Sequence, residues 1–134
     1  MTTTVPPQEN VQMDNYSVQA DIARRFHVAL TTRNWSVLRA LLTDDAQWTL
    51  PGENTISGTA NEADAVVDRA RKFAGYGLNF ELLHIFVSRD NVALSLHNTA
   101  QQGNLVLDEY LATVCRLKDG KIAAIETFLS TLTV

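Results

Sequence analysis

The chain has 134 residues, of which 46% are hydrophobic and 19% charged, a composition that suits one folded domain and excludes a disordered chain. Fifteen acidic against eleven basic residues leave a formal charge of −4, and the densest basic group is only Arg69, Arg71 and Lys72. That is too little positive charge for a phosphate backbone, so nucleic acid is not an expected partner.

The segment MTTTVPPQENVQMDN lacks the basic start and apolar centre of a signal peptide, and no apolar run nears the roughly 20 residues that span a bilayer. No membrane partner is expected, and the expected location is cytoplasmic. The single cysteine, Cys115, sits in an apolar stretch and can form neither an internal disulfide nor a cysteine-type zinc site, so a buried inert thiol is expected.

In chain order, residues 1–15 hold the Pro6-Pro7 pair among mostly polar neighbours and are expected to be a disordered arm. The single domain then spans 16–134. From Ser17 to about Thr31, Val18, Ile22, Ala23, Phe26, Ala29 and Leu30 recur at helical spacing, with Ser17 as a possible cap and His27 on the solvated side. A shorter helix follows Asn34, carrying Trp35, Leu38, Leu41 and Leu42. AQWTL then has strand-type residues and stops at Pro51-Gly52. A third helix is expected from about Glu62 to Ala74, capped by Asn61 and ended by Gly75.

Four strands are expected after it, at about 78–88, 92–100, 105–117 and 121–133, separated by RDN, QQGN and KDGK turns. Short links between consecutive strands give an antiparallel meander. Helices first and strands afterwards is an α+β arrangement, with helices on one sheet face and the other face exposed or used for association.

The stretch RRFHVALTTRNWSVLRALLTDDAQWTLPG, the SGT before the third helix, and the late LKDGKIAAIETFLST resemble, in that order, the nuclear transport factor 2-like superfamily. Within it, the chain is similar to the SnoaL-like and ketosteroid-isomerase-like branch. The resemblance covers about residues 17–134. It implies a cone-shaped barrel made of a strongly bent, mainly antiparallel sheet with three helices in the N-terminal half. An apolar pocket inside the cone and a homodimer are also implied, with no cofactor indicated.

Ketosteroid isomerases use an Asp base, a Tyr donor and a protonated Asp. Aligned on the first helix, the tyrosine position falls on Phe26, which has no hydroxyl. The base position, just before a proline, is Leu50, and the protonated acid falls on Ala112 or Thr113. True steroid-isomerase chemistry is therefore not expected. The resemblance further places Trp48, Ile125, Thr127 and Leu129 on the pocket wall beside Phe26, Leu50 and Thr113. Other relatives carry an acid in the last strand, where Glu126 stands near the place and Ser130 holds a position commonly occupied by Asp.

The remaining candidates for acid/base chemistry are read from the residues. His97 faces the next strand across QQGN, and its partner is Asp108 if the turn centres on Gln102-Gly103 or Tyr110 if it centres on Gly103-Asn104. A His-Asp pair on the pocket face could act as a general base; on the solvent face it only decorates the sheet. His84 shares the alternation of Leu82 and Phe86 and is expected in core or interface. Glu109 and Glu126 lie either on the pocket wall or on the face a partner subunit uses. No His and carboxylate pair has metal-ligand spacing, and no glycine loop suits phosphate. The expected function is a pocket protein for a small apolar organic ligand, an isomerase, cyclase or hydrolase, or else a non-catalytic binding or association module.

Overall fold

The computed structural model describes residues 7–52 and 57–129. Three helices, α1 (Pro7–Thr32), α2 (Trp35–Ala40) and α3 (Ala63–Gly75), accompany six strands: β1 (Leu42–Leu50), β2 (Gly58–Asn61), β3 (Asn79–Val87), β4 (Asn91–Gln102), β5 (Leu105–Lys118) and β6 (Lys121–Leu129). The strands form one mixed sheet in the order β2-β1-β6-β5-β4-β3. The α+β class and the helix-then-meander order follow the sequence reading. Three details do not.

First, α1 begins at Pro7, ten residues before Ser17, so Ser17 lies inside the helix and caps nothing. Proline is favoured in a first helical turn, where its missing N–H leaves nothing unpaired. Once the packed part of a helix is nucleated, each added residue gains a hydrogen bond, so a polar stretch can extend it. Residues 1–6 of the expected arm lie outside the described residues, as does Ser130.

Second, Asn61 does not cap α3. It closes the short strand β2, which the sequence reading did not anticipate, and its side-chain oxygen accepts from Gln47 Nε2 at 2.9 Å across the β1–β2 ladder. Glu62 occupies the cap position at φ 80° and makes no side-chain cap bond. Asn34 does cap α2, its Oδ1 accepting from the Val37 amide at 3.2 Å. Third, β1 pairs with β6 in parallel, while every other pairing is antiparallel. β1 and β6 are far apart in sequence, so no turn constrains their direction.

The helices cover one face of the sheet, α1 against β3 and β4 and α3 against β1 and β2. Phe26, Ala29 and Leu30 of α1, Leu38 of α2 and Val66 and Ala70 of α3 are buried with Leu94, Ile122 and Ile125 of the sheet. Each large apolar side chain buried this fully contributes about 1.5–3 kcal/mol. Cys115 is fully buried, and loss of water pushes its thiol up to about 12, which makes it inert as the sequence implied. Arg69 is buried on α3. Its Nη1 donates to the Trp48 carbonyl at 2.7 Å and its Nη2 to the Ser57 carbonyl at 3.5 Å, which ties the two sides of the β1–β2 connection to the helix.

Candidate ligand cavity

Strand alternation builds the site. On β4, Leu94, Leu96, Asn98, Ala100 and Gln102 share one face, and Ser95, His97 and Thr99 the other. The ladder sets Asn98 directly opposite Glu109, Leu96 opposite Leu111 and Leu94 opposite Thr113, so the inner face of β5 is Leu107, Glu109, Leu111, Thr113 and Cys115. Thr113 in turn faces Thr127 of β6. The bent sheet holds these rows apart from the helices, leaving an open-ended cavity of about 510 Å³. That volume suits a drug-sized organic molecule.

Phe26 and Leu30 of α1 and Phe73 of α3 close the cavity opposite the sheet, while Trp48, Leu50 and Pro51 form one side and Leu78 and Phe80 the other. Trp48 meets Phe73 edge-on at 5.6 Å between ring centroids. Six of the pocket residues expected from the sequence are on the wall: Phe26, Trp48, Leu50, Thr113, Thr127 and Leu129. The seventh, Ile125, faces the same way but is packed in the core and does not reach the wall.

The polar groups on this wall are few. Asn98 is only 8% exposed, and its Oδ1 is buried without a hydrogen-bond partner among the described residues. Glu109 is half-buried opposite it and makes no hydrogen bond or ion pair among the described residues. Deeper in, the Trp48 indole N–H donates to Thr127 Oγ1 at 3.0 Å, and Thr127 and Thr113 share a hydroxyl hydrogen bond at 3.2 Å. Asn98 escaped the sequence reading, although VALSLHN already carries the signal: the alternation of Val92, Leu94 and Leu96 puts residue 98 on the apolar face.

The His97 group forms, but on the other side of the sheet. The hairpin pairs His97 with Tyr110, so the turn centres on Gly103-Asn104, and the two rings stack at 4.3 Å. The imidazole also reaches diagonally to Asp108, with Nε2 2.5 Å from Oδ1, and to Glu81, with Nδ1 3.2 Å from Oε1. Both candidate partners are thus engaged at once. None of His97, Asp108 and Tyr110 lines the cavity, because residue 97 has the opposite parity to the wall residues.

Hydrogen bonds that the imidazole donates to Asp108 first and then to Glu81 hold the His97 pKa above its ordinary 6.5. A raised folded-state pKa adds stability that is fully present below about pH 6.5 and fades as pH rises through the raised value. NMR titration of the His97 ring is expected to give a midpoint above 6.5, moving down in Asp108→Asn; a midpoint at or below 6.5 in the parent protein would contradict the geometry.

His84 does not enter the core, and His27 is not simply solvated. A bulge between Leu82 and His84 turns His84 outward with Phe86, 5.9 Å between ring centroids, while Leu82 packs against the core. His27 is tied to β3, its Nε2–H donating to the Phe80 carbonyl at 2.7 Å. Glu126 is exposed on the outer face. No group of three His, Cys, Asp or Glu side chains is set to hold a metal among the described residues, and no helix there is long and apolar enough to cross a membrane.

Comparison with known proteins agrees with this architecture. The SnoaL-like domain family matches residues 23–125. Among solved structures, Bal32a from a soil-derived mobile gene cassette is 25% identical with a TM-score of 0.81, over 85% of this chain and 90% of that one. A protein of unknown function with a cystatin-like fold from Xanthomonas campestris is also 25% identical, with a TM-score of 0.75 over 84% and 91% of the two chains. An LEH-like epoxide hydrolase from M. tuberculosis shares the fold at 18% identity and a TM-score of 0.68, covering 87% and 85%. No curated protein matches the chain. With a family match over most of its length and an NTF2-like fold, the chain belongs to the SnoaL-like domain family.

Proposed function

We propose that the protein binds a small, mainly apolar organic molecule in the cavity and that Glu109 accepts a proton from it. The observation that carries this reading is a carboxylate with no described partner on an otherwise apolar wall, facing the buried amide of Asn98. A general base needs a free lone pair within reach of the substrate, and Glu109 has one where His97 does not. True ketosteroid-isomerase chemistry is not carried over, since by the resemblance Phe26 and Leu50 stand where those isomerases keep their donor and base. A second reading, a ligand-binding module without catalysis, is favoured by the apolar residues at those two positions.

Binding is tested by filling the cavity. Ala100 lines it from β4, and Ala100→Trp projects a ring into the space. Fluorescence titration with 2-naphthol is expected to show at least a tenfold weaker Kd in this variant, as a pocket that loses its volume loses its apolar contacts. Equal affinity in a variant that unfolds at the parent temperature would move the ligand elsewhere.

The outer sheet face supports a homodimer as a second element of the proposal. Phe86, Tyr110 and Phe128 are 59%, 54% and 48% exposed on it, an aromatic surface that a second copy of the same face would cover with two-fold symmetry. Sedimentation of the protein at micromolar concentration is expected to give a dimer, and Phe128→Asp a monomer. A monomeric parent protein would end the dimer reading and leave the cavity reading intact.

A further inference from the structure

The buried end of the cavity has one uncommitted proton. An indole nitrogen only donates, so the Trp48 N–H must give its proton to Thr127 Oγ1, 3.0 Å away. The contact between Thr127 and Thr113 uses one of the two hydroxyl protons, whichever threonine donates it. The other hydroxyl proton has no acceptor among the described residues. Both threonines line the cavity, and both are at least nine-tenths buried. A buried donor without an acceptor is unfavourable, and a ligand that brings an acceptor removes the penalty.

The other polar pair has the opposite character. Glu109 accepts, and it lies four residues from Thr113 on the same strand, about 13 Å at roughly 3.3 Å per residue. Leu111 and, across the ladder, Leu96 stand between them. Thr113 is buried whereas Glu109 is half-buried, so the donor is at the closed end and the carboxylate nearer the mouth.

We propose that the ligand is an elongated, mainly apolar molecule that enters with a carbonyl-type oxygen first, that oxygen accepting the spare hydroxyl proton of the Thr113–Thr127 pair, and with a hydroxyl at its trailing end toward Glu109. The proposal rests on the reading of the cavity as a ligand site. It deepens that reading by fixing the direction of the ligand and the chemistry of its two ends. Trp48 is consistent with this arrangement, since its N–H fills one lone pair of Thr127 and offers no acceptor for the remaining proton.

Three rigid probes test it: 2-acetylnaphthalene, 2-isopropenylnaphthalene, which has the same shape with a methylene in place of the oxygen, and 6-hydroxy-2-acetylnaphthalene. The acetyl probe is expected to bind roughly five- to tenfold more tightly than the isopropenyl probe, the range of one net hydrogen bond, and the added hydroxyl to bring a similar gain. The double variant Thr113→Val/Thr127→Val is expected to lower the acetyl preference to about one, Thr113→Ser/Thr127→Ser to restore it, and Glu109→Gln to reduce only the gain from the hydroxyl.

If the valine variant does not fold, infrared spectroscopy of the bound acetyl probe replaces it: a carbonyl stretch below its value in hexane supports the hydrogen bond, and a hexane-like frequency overturns it. Equal binding of all three probes overturns the proposal while leaving the cavity as a binding site. Binding of none overturns both.

Discussion

Truncating Phe26 to alanine is expected to lower the free energy of unfolding by about 3–5 kcal/mol, the usual range for a buried phenylalanine. Phe26 is 1% exposed, and its ring joins the helix-sheet core to the cavity wall. Its removal takes away apolar burial and leaves a space that the neighbouring Leu30 and Phe80, already facing an open cavity, have little reason to fill. Urea denaturation monitored by circular dichroism measures the change. A loss below about 1 kcal/mol would mean that the helix is not held through this ring. The same variant is expected to weaken ligand binding, because the ring is part of the wall.

Replacing Glu109 by glutamine is expected to slow proton abstraction by at least about 100-fold, the lower end of what a positioned general base contributes. The probe is 5-nitrobenzisoxazole, a small aromatic carbon acid. The Glu109 carboxylate takes the proton at C3, the electrons of that C–H bond complete the nitrile, and the N–O bond breaks to release a coloured phenolate. No oxidant or metal is needed. Glutamine keeps the size of the side chain and its oxygen can still accept a hydrogen bond, but it cannot take the proton. If the parent protein and the variant react at the same rate, Glu109 is not the base and the non-catalytic reading gains. Since His97 lies on the far face, His97→Gln is expected to leave the rate unchanged, a contrast that separates the cavity from the outer cluster.

The comparison of Glu109 with His97 shows where local pattern suffices. Along β4, Val92, Leu94 and Leu96 alternate with Ala93, Ser95 and His97, a pattern that carries His97 to the face away from the apolar row, although the sequence analysis left both faces open. The hairpin length left two registers open, and the ladder with Gly103-Asn104 in the turn chose one. Even so, His97 contacts both proposed partners, since a diagonal neighbour is within reach of a long side chain. For Glu109 both registers give the same parity, opposite Leu96 or Asn98, so its place on the apolar face was already legible although the sequence analysis left both faces open.

The amino-acid sequence by itself determined the α+β class, the order of the helices and of the strands other than β2, the cap at Asn34 and the inert Cys115. These depend on periodicity, turn chemistry and residue identity, which are local. The tertiary structure alone decided the parallel pairing of β1 with β6, the use of Asn61 in a strand, the bulge that turns His84 outward, and the meeting of Trp48, Thr127 and Thr113 at the closed end. Each of these joins residues distant in the chain or shifts a register by one, and no local preference encodes such a choice; it is made by which arrangement buries the most apolar surface while pairing the buried polar groups.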